Sequence, residues 1–315
     1  MHIDDRGREE RNVGMKKGAL AAVLCAVLLT TACGGGDKDA DKKAEENAGT
    51  KKKNLVITTE EEGSGEQDDA GTGQTQDPPA QDIQAQVDGL ASGLAGGGEW
   101  AVYVYGLDTG KEASLNNKPM QSASLIKLFI AGTVYEQKDR MDAQNGAQET
   151  EALLRSMITV SDNEAANTLI KRLGNGDAPA GMQTVNEFAA AHGYAQTHMG
   201  RLMLDFDAED DNYTSVEDCG AFLRDLYRQE LTGAEQIIGF MKEQTRTEKI
   251  PAGVPAGTVT ANKTGELDTV ENDAALVWGG QEPYAICVMS QGLTDAAAAR
   301  TGIQKLSSDV YELMR

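Results

Sequence analysis

The chain has 315 residues, with 50 acidic and 29 basic side chains and a formal net charge of -21. Such an excess of negative charge excludes a nucleic-acid-binding surface as the main feature of the molecule. The overall composition is that of a globular protein, which excludes collagen-like, disulfide-scaffold and multi-span membrane chains.

The N-terminal segment has the pattern of a secretory signal. The stretch MKKGALAAVLCAVLLTTAC begins at Met15 with two lysines, continues with an apolar run and ends in small residues before Cys33. The apolar run is too short to span a bilayer comfortably, which disfavours an uncleaved anchor. Because small residues precede Cys33 and three glycines follow it, the segment resembles a lipoprotein signal. We therefore expect residues 1–33 to be a signal of lipoprotein type with its true start at Met15, and the mature protein to be extracytoplasmic. The protein is then anchored to the cell membrane through a lipid on Cys33, or secreted.

Two further regions follow the signal. Residues 34–80 are rich in glycine, serine, threonine, glutamine and charge, so they cannot bury enough apolar surface to fold. We expect them to form a disordered acidic tether. Residues 81–315 have a length suited to one compact domain, which we expect to be a monomer.

The hydrophobic patterns along residues 81–315 predict an α+β domain. A helical pattern opens the domain, and the alternating stretch WAVYVYGLDTGKEASLN, which contains the turn DTG, predicts a hairpin. Candidate helices follow from Ser122, Gln148, Asn163, Gly181, Ser215 and Gly233. The segments GTVTANKTGEL, TVENDAALVWG and PYAICVMSQG then predict strands, and a final helix ends the chain. Strands at both ends, with helices between them, predict an antiparallel sheet in which the first and last strands pair.

The cysteines and histidines of the domain give no sign of a disulfide, a metal site or a catalytic triad. Cys219 lies in a helical pattern and Cys287 in a strand pattern, and we expect two separately buried thiols rather than a disulfide. No cysteine or histidine spacing is typical of a metal site, and we expect neither a metal nor a cofactor. His192 and His198 lie near no G-x-S-x-G motif, which argues against a Ser-His-Asp hydrolase.

Three short motifs carry the candidate chemistry. Ser124 and Lys127 form an S-x-x-K pair at the start of an apolar helix, Ser161-Asp162-Asn163 lies between two helices, and Lys263-Thr264-Gly265 ends a late strand. Each motif alone has an ordinary structural explanation, such as a helix cap or a strand end. Their occurrence together, in this order and on these elements, is the pattern of penicillin-recognising serine enzymes.

On these motifs, residues 82–315 resemble the class A β-lactamase family, which shares its fold with penicillin-binding transpeptidases and carboxypeptidases. The resemblance implies a five-stranded antiparallel sheet flanked by helices, together with an all-helical lobe, with the active site between them. It also implies a β-lactam or a D-Ala-D-Ala-like peptide as the substrate.

The physical chemistry of the three motifs agrees with this resemblance. A serine hydroxyl needs a base to accept its proton, and Lys127 is within reach of Ser124. Burial beside the second cation Lys263 would lower the pKa of Lys127 toward the neutral form. A position at a helix N-terminus would favour a developing oxyanion near the Ser124 N–H group.

The resemblance assigns the remaining roles. Ser161 would relay the proton to the leaving nitrogen, and Asn163 would bind the substrate amide. Lys263 and Thr264 would bind the substrate carboxylate. The residue after Gly265 is Glu266, whose backbone N–H group would be the second oxyanion donor.

One position departs from the family pattern. In class A β-lactamases, a loop arginine is followed two residues later by the glutamate that activates the deacylating water. Arg201 matches the arginine, and Asp211 or Asn212 could close the loop against it, but Met203 occupies the glutamate position. Acidic residues follow in the same loop, and Asp205 is the candidate for a replacement base.

The sequence therefore leaves three hypotheses. The first is a serine acyl-enzyme hydrolase that opens β-lactam rings with slow deacylation. The second is a penicillin-binding DD-peptidase or another amide or ester hydrolase that acts on cell-wall peptides. The third is a non-catalytic lipoprotein that binds cell-wall fragments, against which the intact Ser124, Lys127 and Ser161 argue.

Overall fold

The computed structural model describes residues 83–315. The predicted signal, the proposed lipid attachment at Cys33 and the predicted tether lie outside the described residues. Within residues 83–315, no helix combines the length and the apolar character needed to span a bilayer.

Strands lie near both ends of the described chain, and most of the helices lie between them. The strands are β1 (Glu99–Gly106), β2 (Glu112–Leu115), β3 (Met120–Gln121), β4 (Tyr213–Thr214), β5 (Val259–Leu267), β6 (Val270–Trp278) and β7 (Tyr284–Gln291). The helices are α1 (Gln84–Ala91), α2 (Ile126–Glu136), α3 (Lys138–Asn145), α4 (Ala147–Thr159), α5 (Asn163–Leu173), α6 (Ala178–Ala191), α7 (Val216–Tyr227), α8 (Ala234–Lys242), α9 (Ile250–Gly253) and α10 (Ala296–Leu313). A short 3-10 turn, Ala123–Leu125, immediately precedes α2.

The central sheet has five strands in the order β2-β1-β7-β6-β5, and all neighbouring pairs are antiparallel. The strands at the two ends of the domain pair with each other, with Val102 of β1 opposite Val288 of β7. The predicted five-stranded antiparallel sheet is therefore confirmed. Strand β5 is at one edge of this sheet, so one of its sides is not paired with another strand of the sheet.

Both faces of the sheet are buried, because successive side chains of a strand point to opposite faces. On one face, Val102 and Val104 of β1 belong to a cluster that includes Ile303 of α10. On the other face, Tyr103 belongs to the larger core that includes Phe222 of α7. The sheet therefore separates two helical layers, as the α+β prediction requires.

The helical lobe is built around α2. Every residue of α2 from Ile126 to Tyr135 is buried, which is typical of a helix surrounded by other helices. Helices α4, α5 and α6 contact α2. The lobe therefore holds α2, and with it Lys127 of the S-x-x-K motif, in a fixed position.

Some element boundaries differ from the prediction. The helix predicted from Gly181 starts at Ala178, because Asp177 takes the N-cap position and a proline fits the first turn. The short helices α3 and α9 and the two-stranded pair of β3 and β4 were not predicted. Cys219 and Cys287 are buried and unpaired, so the prediction of two separate thiols is confirmed.

Candidate active site

Segments far apart in the chain meet at one cleft of about 490 Å³. Ser124 lies in the 3-10 turn before α2, Ser161 lies between α4 and α5, and Asn163 is the first residue of α5. All three line the cleft, together with Thr264 and Glu266 of edge strand β5. The opposite wall comes from the loop between α6 and β4.

Lys127 is placed to accept a proton from Ser124. Its Nζ atom is 3.0 Å from Ser124 Oγ, and its side chain is fully buried. The Lys127 amine donates hydrogen bonds to the Ser161 carbonyl oxygen and to Asn163 Oδ1, each at 2.7 Å. These two bonds use both N–H groups of a neutral amine, so its lone pair is left for the Ser124 hydroxyl.

Ser161 is held in a strained turn. Its φ of 59° is uncommon for a residue other than glycine, and such conformations persist where the surroundings enforce them. The next residue, Asp162, caps α5 by accepting hydrogen bonds from the backbone N–H groups of Glu164 at 2.9 Å and Ala165 at 3.2 Å. The cap fixes the turn that places the Ser161 hydroxyl in the cleft.

Two amines surround the Ser161 hydroxyl. Lys263 is fully buried and its Nζ atom is 2.9 Å from Ser161 Oγ, while Lys127 Nζ is 3.2 Å from the same oxygen. The structure therefore brings Ser124, Lys127, Ser161 and Lys263 into one hydrogen-bonded group. A proton can pass along this group without any large movement of a side chain.

The surroundings favour the neutral forms of both lysines. Burial, together with the positive charge of Arg246, lowers the pKa of Lys127 from its ordinary value of 10.5 to about 7. Burial also lowers the pKa of Lys263 well below its ordinary value, and the charge of Lys127 adds to this effect. A lysine with a pKa near 7 can act as a base at neutral pH.

Gly265 allows β5 to approach the serine closely. A Cβ atom at this position would lie 2.9 Å from the Ser122 carbonyl oxygen and 3.1 Å from the Ser124 nitrogen. The Gly265 carbonyl accepts a hydrogen bond from a buried lysine, Lys249, at 3.3 Å. Because the peptide bond is trans, the N–H group of Glu266 points in the opposite direction from this carbonyl.

A group of ion pairs lies beside this peptide. Arg246 is 3.2 Å from the Glu266 carboxylate, and Lys249 is 3.3 Å from it. These two cations lower the pKa of Glu266 against the effect of its partial burial, which acts in the other direction. Arg246 also lines the cleft, so a positive charge is available close to Thr264.

The loop between α6 and β4 is closed by Arg201. Its Nε atom is 2.5 Å from Asp211 Oδ1, and the Arg201 backbone N–H donates to Asn212 Oδ1 at 3.1 Å. Both residues named as possible closing partners therefore contact Arg201. The guanidinium also lies over the ring of Phe206, at 5.0 Å from its centroid.

Met203, at the position compared above with a catalytic glutamate, lines the cleft. Its backbone N–H donates to Asn167 Oδ1 at 2.7 Å, and its carbonyl accepts from Asn167 Nδ2 at 3.1 Å. The Met203 side chain lines the cleft and is 7% exposed. The backbone is thus rigidly held at this position, but its side chain carries no group that can accept a proton.

The structure does not bring Asp205 into the cleft. Its side chain is exposed to solvent, while the neighbouring Leu204 and Phe206 line the cleft instead. Leu204 has a φ of 66°, which turns the chain at this point. The position of Asp205 thus gives no support to its role as a replacement base.

Sequence reasoning missed several residues of the site. Asn167 follows Asn163 by four residues on α5, so the helical spacing could have placed both on one face. Arg246 and Lys249 lie in the polar stretch TRTEKIP, which has no motif and no hydrophobic period. Only the packing of this stretch against β5 and β6 shows where their charges lie.

Comparison with known proteins agrees with this architecture. A family model described as "Beta-lactamase enzyme family" matches residues 79–146 and 141–314. No curated protein matches the chain.

Solved structures share the fold at low identity. PBP-A is 21% identical with a TM-score of 0.65, and the match covers 76% of this chain and 98% of that chain. A β-lactamase from Sphaerobacter thermophilus is 20% identical with a TM-score of 0.63, covering 73% and 97% of the two chains. An ancestral class A β-lactamase is 22% identical with a TM-score of 0.63, covering 73% and 99%.

The expected β-lactamase/transpeptidase-like fold is thereby confirmed. The family model covers nearly all of the described residues and includes each of the three motifs. The chain belongs to the beta-lactamase enzyme family.

Proposed function

We propose that the protein is an extracytoplasmic serine hydrolase that opens β-lactam rings by acylating Ser124, and that it releases the product slowly. One observation carries the proposal: Lys127 Nζ lies 3.0 Å from Ser124 Oγ and 3.2 Å from Ser161 Oγ, inside the cleft. This is the arrangement that a serine nucleophile, its base and a proton relay require.

Acylation begins when Ser124 Oγ attacks the carbonyl carbon of the β-lactam. The Ser124 proton passes to the neutral amine of Lys127 as the new C–O bond forms. The C–N bond of the ring then breaks, and the leaving nitrogen takes a proton from the Ser161 hydroxyl, which is replenished from Lys127. The product is an ester of Ser124, and no proton is gained or lost overall.

The same geometry supports binding of the oxyanion and the substrate carboxylate. A Cβ atom on Gly265 would lie 3.1 Å from the Ser124 nitrogen, so β5 approaches this nitrogen closely. The backbone N–H groups of Ser124 and Glu266 would stabilise the charge on the carbonyl oxygen. Thr264, Lys263 and Arg246 would bind the carboxylate of the substrate. Asn163 would orient the substrate amide.

Hydrolysis of the acyl-enzyme is expected to be the slow step. Water needs a base to attack the ester, and Met203 cannot supply one while Asp205 lies outside the cleft. We therefore expect the acyl-enzyme to persist. A persistent acyl-enzyme would also fit a second candidate function, a DD-peptidase-like enzyme that acts on cell-wall peptides and is blocked by β-lactams. The similarity to PBP-A, of which a variant was solved as an acyl-enzyme complex with penicillin G, supports both candidates.

The proposed extracytoplasmic location is based on the N-terminal segment. The signal-like stretch before Cys33 supports export and a lipid anchor.

The acylation rate is expected to depend on pH through Lys127. Because the neutral amine is the base and its pKa is about 7, the rate should rise with pH below 7 and level off above it. Stopped-flow measurement with the chromogenic cephalosporin nitrocefin at different pH values would give the midpoint. In Arg246→Gln the midpoint should move to higher pH, because the Arg246 charge lowers the pKa of Lys127. An acylation rate that stays the same from about pH 5.5 to about pH 8.5 would contradict the proposal, because this range spans the pKa of Lys127.

The proposed function is tested by intact-protein mass spectrometry after mixing with penicillin G. An adduct with the mass of one penicillin that decays over minutes to hours supports slow hydrolysis, and an adduct that does not decay supports the DD-peptidase-like candidate. Rapid conversion of penicillin with no detectable adduct would show that deacylation does not need a base at position 203. The absence of both adduct and turnover would favour a non-catalytic binding protein and overturn the proposal.

A further inference from the structure

A buried lysine outside the three motifs contacts the peptide that joins Gly265 to Glu266. Lys249 is 2% exposed, and its Nζ atom donates to the carbonyl oxygens of Gly265 at 3.3 Å and Asn272 at 2.9 Å. These two residues are opposite each other in the β5–β6 pair. The Lys249 ammonium therefore lies against the sheet beside the strand that forms one wall of the cleft.

The contact matters because the Gly265 carbonyl and the Glu266 N–H group belong to the same peptide unit. A positive hydrogen-bond donor at the carbonyl oxygen draws electron density from the amide nitrogen, so the N–H group becomes a stronger donor. The carbonyl points toward Lys249, and in a trans peptide the N–H group points the other way, toward the open edge of β5.

The same network fixes the distance between β5 and the nucleophile. The side chain of Asn272 donates to the carbonyl oxygens of Gln121 at 2.9 Å and Ser122 at 3.3 Å, just before Ser124. Lys249 holds the Asn272 backbone, and Asn272 holds the chain that leads into Ser124. The two backbone N–H groups proposed to bind the oxyanion are thereby connected through Lys249 and Asn272.

The charge balance of Glu271 and Glu266 does not explain why Lys249 is there. Burial raises the pKa of Asp273 to about 6, and the Lys249 charge opposes this effect. Lys249 lies 2.8 Å from the Glu271 carboxylate, but Glu271 also has Arg300 at 2.7 Å. Glu266 likewise has Arg246 as a second cation. Each of these two glutamates would keep a cationic partner without Lys249, whereas the Gly265 carbonyl would lose its charged donor.

We propose that Lys249 is a positioning residue that orients and polarises the Gly265–Glu266 peptide, and so strengthens the Glu266 N–H group as an oxyanion donor. The inference rests on the proposed acylation of Ser124. It assigns to Lys249 an effect on the transition state rather than on binding of the substrate.

Lys249→Met tests the inference, with Arg300→Met as its matched control. Both changes remove one cation from Glu271, but only the first removes the donor to the Gly265 carbonyl. We expect Lys249→Met to acylate about tenfold more slowly with saturating nitrocefin, since complete loss of an oxyanion donor costs about 10²- to 10³-fold. Arg300→Met should stay within about threefold of the unchanged protein, because its side chain is partly exposed.

Infrared spectroscopy of the penicillin G acyl-enzyme gives a readout that a merely structural role would not change. A weaker oxyanion donor leaves the ester carbonyl bond stronger, so its stretching band should move to higher wavenumber in Lys249→Met and not in Arg300→Met. If Lys249→Met shows no cooperative thermal unfolding, Lys249→Gln replaces it, with the same direction expected.

An unchanged carbonyl band in Lys249→Met, or equal losses of acylation rate in both variants, would overturn the inference while leaving the proposed function intact. If the unchanged protein is not acylated by nitrocefin or penicillin G, the proposed function fails on that result alone. Phenylboronic acid, which adds to a serine hydroxyl as a tetrahedral anion, then tests Lys249. Weaker boronate binding in Lys249→Met than in Arg300→Met supports the inference, and equal binding overturns it.

Discussion

Lys127→Met is expected to acylate with penicillin G about 10³-fold more slowly than the unchanged protein, within the range that general bases contribute. Among residues 83–315, Lys127 is the residue whose side chain contacts Ser124 Oγ within hydrogen-bond distance and can accept its proton. Methionine has a similar length and fills the same buried space. The change therefore removes the base and its hydrogen bonds to Ser161 and Asn163, while the buried space stays filled.

The rate of adduct formation, followed by mass spectrometry of quenched samples, measures this effect. Lys171→Met is the control, because Lys171 is an exposed lysine on α5 and should leave the rate unchanged. Thermal unfolding would show that both variants fold. A loss of less than about tenfold in folded Lys127→Met would mean that another group takes the proton from Ser124.

Met203→Glu is expected to shorten the life of the penicillin acyl-enzyme by about 10²-fold, the lower end of what a general base contributes. The backbone at position 203 is already held by two hydrogen bonds with the Asn167 side chain, one donated and one accepted, and the Met203 side chain lines the cleft. A carboxylate there would lie where water can reach the ester of Ser124. The resemblance to class A β-lactamases implies the same role for a glutamate at this position.

Met203→Gln is the matched control, since glutamine has the shape of glutamate without a basic carboxylate. The decay of the acyl-enzyme after removal of free penicillin gives the rate constant for each protein. An equal acceleration in both variants would show that space or polarity, and not a base, limits deacylation. No acceleration in Met203→Glu would mean that the loop does not place this side chain over the ester.

The sheet and the three motifs could be predicted because local patterns encode them. Alternation in the stretch that contains β1 predicts a strand, and S-x-x-K, S-D-N and K-T-G combine residue types with fixed spacing. The start of α7 could also be predicted, because serine is a preferred N-cap residue. In the structure Ser215 takes this position and accepts a hydrogen bond from the Asp218 backbone N–H group. These features depend on residues that are close together in the sequence.

The remainder of the site depends on packing between distant segments. The acidic run after Met203 suggested a replacement base, but the turn at Leu204 and the contact of Arg201 with Phe206 leave Asp205 outside the cleft. The stretch that carries Lys249 gives no local signal, since the contacts of Lys249 are with backbone carbonyls of β5 and β6. Tertiary contacts of this kind override what composition suggests.

The central claim is that Ser124 is the nucleophile of a cleft built from these three motifs. Peptide mapping of the protein after reaction with penicillin G tests it most directly. We expect one modified peptide, with the added mass on Ser124, and no covalent adduct on Ser124→Ala under the same conditions. An adduct on another residue, or an adduct that survives Ser124→Ala, would contradict the account.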